Sequence, residues 1–265
     1  MNDILFRCSS IGKLMTEPKT KAEGPLSVGA KTYIRELAAQ EIFGVDFEFS
    51  SRETEKGIEV EDESIALLNR VRGLRLAKNT ERRTNGVITG ECDLFDAPRR
   101  RGHDLKSSWS IKTFPGWVVD CEDRLYEWQM RGYMSLWDAD EWEVNYALVD
   151  TPERLIGYEP LQLHVVSHIP EWMRLTTWTV KRDAEKEALM LAKCLHAREY
   201  FQEVLEEFDR LHAMGEIPPW HTEAPDEFAP AATKPTQPAA PVAVPTPPPA
   251  APAAPAAPAA LPELF

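Results

Sequence analysis

Two acidic positions constrain this chain more than its composition does. Asp93 closes Gly90-Glu91-Cys92-Asp93, just after the apolar Val87 and Ile88, and Asp104-Leu105-Lys106 follows shortly downstream. In a strand, residues two apart project to the same face. Asp104 and Lys106 therefore point together, with Leu105 on the opposite face. Such a pair can set a metal-binding carboxylate and a cation on one phosphate. A lone D-x-K is more often an exposed strand face, so the flanking segments carry the argument.

Upstream, Gly57 to Val71 reads as part of one helix over about 54–71. At about 100° per residue, Ile58, Val60, Ile65, Leu67, Leu68 and Val71 fall in one half of the wheel. Glu59, Asp62, Glu63, Asn69 and Arg70 fall in the other. Glu61 lies inside the apolar arc, where a carboxylate is costly unless a metal or a base pairs with it. The plainer alternative is a glutamate at the helix edge. Downstream, residues 122–137 form a second helix on which Gln129 sits among Leu125, Gly132, Tyr133 and Leu136. A glutamine satisfied by backbone groups would explain that position equally.

In order, then, come a helix with an inward Glu, a strand ending in Asp, a strand carrying D-x-K, and a helix with an inward Gln. This order resembles the PD-(D/E)XK nuclease superfamily, and within it the phage recombination exonucleases of the lambda exonuclease and YqaJ type. The resemblance rests on Gly57 to Glu61, Gly90 to Asp93, Asp104 to Lys106, and Gln129 to Tyr133. Arg7 to Met15 is also similar to the opening of such proteins, and the match spans about residues 5–215. Asp104 stands where many members have Glu. The resemblance implies an α/β (α+β) fold: a restriction-endonuclease-like αβββαβ core with a mixed central sheet and extra N- and C-terminal helices.

The chain's 265 residues, 43% hydrophobic, suffice for one sizeable core with extensions. No apolar run approaches the length of a membrane span, and the N-terminus lacks a signal-peptide pattern. A cytoplasmic location is expected, that of the host if the chain is phage-encoded. Cys8, Cys92, Cys121 and Cys194 form no C-x-x-C pair, which argues against both disulfide staples and an iron–sulfur cluster. The net charge of −13 argues at first against nucleic acid. Carboxylates that bind metal inflate that figure, however, and local basic clusters exist. Arg99-Arg100-Arg101 is either a solvated hairpin turn or a DNA-backbone contact. Lys78, Arg82 and Arg83 precede the Asp93 strand.

Residues 1–222 read as the nuclease domain. Within it a helix is expected over 30–43, strands over 74–79, 85–95 and 103–108 as a meander, and a strand over 141–149. Another possible strand spans 161–166, and 170–214 reads as mostly helical. From 223 to 265 the composition collapses toward Pro and Ala, which predicts a disordered tail. Its apolar tip, Leu261 to Phe265, is similar to sliding-clamp-binding peptides without their usual Gln. A sliding clamp or a single-strand-binding protein is its candidate partner, against a tail with no docking role.

The resemblance implies that Glu61, Asp93, Asp104 and the carbonyl of Leu105 hold one or two Mg²⁺ ions, with Mn²⁺ able to substitute, since hard oxygen ligands select these over zinc. Cys92 should face away and recruit no soft metal. Lys106 would stabilise developing charge, Gln129 and Tyr133 would support the site or contact DNA, and Ser9 with Arg7 would receive a 5′-phosphate. Trp109 and Trp117 could stack at a DNA end, with core packing favoured for Trp117. The implied activity is 5′ to 3′ digestion of linear duplex DNA, handing a 3′ strand to an annealing protein, and ring oligomers occur in the family. Two alternatives stay open: a structure-specific or restriction-like endonuclease on the same fold, and a non-catalytic DNA-binding or recruitment protein.

Overall fold

A computed structural model describes residues 4–47 and 50–213. The Pro/Ala-rich tail and its Leu261–Phe265 tip lie outside the described residues. The chain opens with β1 (Phe6–Arg7), α1 (Ile11–Leu14), α2 (Val28–Phe43), α3 (Arg52–Glu59) and α4 (Glu61–Arg72). Then come β2 (Arg82–Thr84), β3 (Ile88–Glu91), β4 (Leu94–Asp96) and β5 (Arg101–Ser107). Helix α5 (Arg124–Trp137) leads to β6 (Glu141–Ala147), followed by α6 (Glu153–Ile156), β7 (Leu175–Lys181) and α7 (Ala184–Ala213).

The central sheet runs β4-β5-β6-β7. Only β5 and β6 are parallel; the outer pairings are antiparallel. Parallel neighbours need a crossover, and α5 supplies it. Asp123 starts that helix by accepting the backbone N–H groups of Leu125 and Tyr126 at 2.7 and 3.1 Å. A small second sheet, β1-β3-β2, lies beside the first. The order α4, β3–β5, α5, β6 realises the expected mixed α/β core.

The main core joins α1, α2, α5 and α7 to the sheet. Trp142, Met130, Met134, Ile34 and Cys194 are fully buried within it. Trp142 lies so close to the neighbouring strand that a Cβ on Gly102 would fall 2.1 Å from its ring. Glycine at 102 is thus a packing requirement.

Several expected elements differ. The 54–71 helix is two helices, broken at Val60 (φ −102°, ψ 14°). A single wheel cannot span that break, which is why Ile58 is 71% exposed while Val60 is buried. Residues 74–79 pair with no strand. The Asn69 side chain takes the N–H and carbonyl of Leu76 at 3.0 and 2.9 Å, replacing ladder bonds. The 85–95 strand is broken by the Asn85-Gly86 turn and by a bend at Cys92-Asp93. The possible strand over 161–166 is instead a 3-10 turn at Leu161–Leu163 followed by irregular backbone. Part of the expected helical stretch 170–214 is β7, whose alternating Thr and Trp positions zip onto β6.

Candidate active site

The bend between β3 and β4 positions Asp93. Asn79 holds it from outside, donating its N–H to the Asp93 carbonyl at 2.7 Å and its amide to the Cys92 carbonyl at 3.1 Å. The carboxylate turns toward β5 and accepts the Leu105 N–H at 2.6 Å. On β5 the alternation holds: Lys106 Nζ lies 2.7 Å from Asp104 Oδ2. Leu105 packs on the other face with Ile65, Leu68 and Leu94. Cys92 is buried in the apolar core, and the neighbouring Asp93 carboxylate acts on its thiol after burial does. Burial pushes its thiol up to about 12.

Helix α5 presents Gln129 to this strand. Its amide donates to Asp104 Oδ1 at 3.3 Å and to the Tyr133 hydroxyl at 3.2 Å. Tyr133 donates in turn to the Glu91 carbonyl at 3.1 Å. Gln129 is therefore satisfied by side chains, and the backbone groups that would have made it merely structural are not its partners. Glu61 begins α4, half-buried at the helix edge. Its partner is Lys78, with Nζ 2.5 Å from Oε2. Glu61, Asp93, Leu105 and Lys106 line one cleft of about 660 Å³, with Tyr126 and Tyr146. Lys106 also lies over the Tyr126 ring, 4.5 Å from its centroid. Tyr126 and Lys78 are site residues that sequence reasoning did not assign. Lys78 stood out only as one of a basic cluster at 78–83, and nothing signalled Tyr126.

The cleft is short of positive charge. Burial, then Asp104, and also Glu61 push the Asp93 carboxyl up to about 7, against the opposing Leu105 N–H and Lys106. Burial works against charge on Lys106, but Asp104 outweighs it and the net shift is upward. The hydrogen bond that Lys78 donates to Glu61 raises the Lys78 ammonium. No three Asp, Glu, His or Cys side chains stand together as a ready ligand cage among the described residues; Glu61 is paired with Lys78. An aspartate held toward neutrality first by burial and then by carboxylates of its own sign is nonetheless what a hard dication would relieve. The donor set therefore fits such an ion.

Ser9 and Arg7 lie apart from the carboxylates, in a second hollow of about 330 Å³ shared with Arg82, Thr89, Gly90, Glu91 and Tyr133. Arg7 stands 4.0 Å from Asp46, and Arg82 pairs with Glu91 at 3.1 Å. Tyr133 borders this hollow and also touches Gln129, so one phenol links it to the D-x-K strand.

Other expectations reverse. Trp109 is buried, donating to Glu159 at 3.1 Å, whereas Trp117 is 73% exposed. The loop after β5 folds Trp109 under Arg52 and leaves Trp117 at its outer corner. The Arg99-Arg100-Arg101 run does form the β4–β5 turn. Its charges are satisfied internally, by Asp96 for Arg99, Asp138 and Asp140 for Arg100, and Glu141 and Glu143 for Arg101. This favours a paired turn over a DNA contact. Lys56, with no sequence signal of its own, is fully buried behind the cleft and donates to the carbonyls of Ser108, Trp109 and Val149 at 2.6, 3.1 and 3.0 Å.

Among solved structures, the chain is similar to a phage-related exonuclease from Haemophilus somnus 129PT. The two share 36% identity with a TM-score of 0.74, covering 78% of this chain and 97% of that one. It also shares its fold with an alkaline exonuclease from Laribacter hongkongensis, at 14% identity and TM-score 0.58, over 79% of this chain and 94% of that one. The same enzyme in complex with dAMP aligns at 15% identity and TM-score 0.57. No protein-family model and no curated protein matches the chain. Among the described residues, no helix is long and apolar enough to cross a membrane.

Proposed function

Because this chain belongs to the phage recombination exonucleases of the PD-(D/E)XK superfamily, we propose that it is a Mg²⁺-dependent deoxyribonuclease digesting linear duplex DNA from 5′ to 3′. The chain is a nuclease by family; the metal, the substrate form and the polarity are our reading. The observation that carries it is the cleft in which Glu61, Asp93 and Lys106 share one wall system, with Asp104 directly behind Lys106.

Glu61, Asp93, Asp104 and the Leu105 carbonyl would hold Mg²⁺ or Mn²⁺. When bound, such an ion polarises a phosphate oxygen and acidifies water. Asp104 holds the Lys106 ammonium at 2.7 Å, and the Tyr126 face confines it from the side. So placed, Lys106 stabilises negative charge developing on the phosphate, without reorganisation during the reaction. Gln129 keeps Asp104 in register through its 3.3 Å bond. Ser9, Arg7 and Arg82 would receive a terminal 5′-phosphate in the second hollow, which gives the enzyme its requirement for an end. The 3′ strand left behind would pass to a single-strand annealing protein.

The test is digestion of 5′-phosphorylated and 5′-hydroxyl linear duplexes in Mg²⁺, beside a closed circle. We expect linear DNA alone to be lost, faster with the phosphate. Lys106→Ala should lower the rate roughly 10²–10³-fold. Equal cutting of the circle would replace this reading with the endonuclease alternative. Mg²⁺-independent DNA binding without hydrolysis would instead indicate a recruitment protein.

A further inference from the structure

Glu61 does not wait open for a cation: a lysine already holds it. We propose that Lys78 is a built-in counter-ion for Glu61, which an incoming divalent metal must displace. This inference rests on the metal reading above and assigns Lys78 a role that reading does not contain.

Three observations carry it. The first is contact: Lys78 Nζ donates a hydrogen bond to Glu61 Oε2 and forms an ion pair with it. An oxygen engaged by an ammonium in this way is not available as a metal ligand in the same geometry. The second is mobility of one partner against a fixed base. The neighbouring Asn79 is pinned by two bonds to the Cys92-Asp93 bend, at 2.7 and 3.1 Å. The Lys78 side chain itself is 47% exposed. The backbone of the segment therefore stays while the long side chain can swing to solvent, losing little. The third is charge. Glu61, Asp93 and Asp104 are balanced by Lys106 and one dication together. Retaining the Lys78 ammonium as well would leave the loaded cleft positive.

With no metal, Lys78 limits the repulsion that Glu61 exerts on Asp93. With metal, the carboxylate turns inward and the ammonium is released at the cleft rim. Lys78 is thus a positioning residue whose contact sets the metal affinity.

The experiment is Mn²⁺ binding to the full chain without DNA, followed by calorimetry and by electron paramagnetic resonance of free Mn²⁺. Wild type, Lys78→Met, Lys78→Gln, Glu61→Gln and Glu61→Gln/Lys78→Met are compared, with Asp93→Asn as the loss-of-site control and thermal melting as the fold check. We expect Lys78→Met or Lys78→Gln to bind Mn²⁺ about two- to fivefold tighter, the strength of a part-exposed ion pair. In the Glu61→Gln background the same substitution should change nothing, because the pair is already gone. An equal gain in both backgrounds would mean a general charge effect and overturn the proposal. So would unchanged or weaker binding in both lysine variants. Absence of Mn²⁺ binding in every form, or binding that survives Asp93→Asn, would overturn the metal reading itself.

Discussion

Replacing Lys56 by methionine should remove a clamp that joins α3 to the segments after β5 and β6. The lysine is fully buried, and its ammonium serves three carbonyl oxygens, on Ser108, Trp109 and Val149. Methionine keeps most of the apolar stem, so little cavity forms and the loss is polar. Bonds from a charged donor contribute roughly 1.5–3 kcal/mol each, giving a gross loss of roughly 5–9 kcal/mol for three. Burial opposes this, since it lowers the lysine from 10.5 to about 8. That shift corresponds to about 3 kcal/mol of cost for the charged form. The net expectation is a loss of roughly 2–6 kcal/mol, in line with breaking a buried charged contact. Urea unfolding at pH 7 should show a lower midpoint with an unchanged slope. The pH dependence has a definite sign. Below 8 lysine is protonated in both the folded and unfolded chain, and the full cost is present. Between about 8 and 10.5 the unfolded chain binds more protons, so wild-type stability rises with pH. The gap to Lys56→Met should therefore widen across that window. A loss below about 1 kcal/mol at pH 7, or a gap that narrows as pH rises, would refute the reasoning.

Gly102→Ala would press a Cβ to 2.1 Å from the Trp142 ring. A loss of about 2–4 kcal/mol in urea unfolding is expected, and a variant as stable as wild type would contradict the β5–β6 packing. Gln129→Ala should slow DNA digestion about tenfold or more by freeing Asp104, at a stability cost of only about 1 kcal/mol; a large loss of stability with unimpaired turnover would make Gln129 merely structural. The two tryptophans should separate cleanly. Trp109→Ala is expected to cost about 3–5 kcal/mol, and Trp117→Ala less than about 0.5 kcal/mol, as read by thermal melting; equal effects would place both in the core.

Periodic and local signals were legible from the residues alone. The two-residue repeat put Asp104 and Lys106 on one face and Leu105 on the other, and the structure pairs them so. The Gln129 position emerged from helical spacing for the same reason: secondary structure projects side chains by a rule that needs no tertiary partner. The α/β core was what the family resemblance carried by those elements implied. The single helix over 54–71 failed because a one-residue break at Val60 resets the wheel. The extended 74–79 segment failed because one side chain, Asn69, outcompeted a ladder.

What only the tertiary structure decided is the partner of each charge. Nothing in the sequence distinguishes Lys78, which faces Glu61, from Lys56, which serves three carbonyls, or from Arg99 to Arg101, whose charges are met by neighbouring acids. Nor does it distinguish the buried Trp109 from the exposed Trp117. Side-chain direction is encoded over a few residues, but Coulomb attraction and burial depend on distances closed by the fold between positions far apart in the chain.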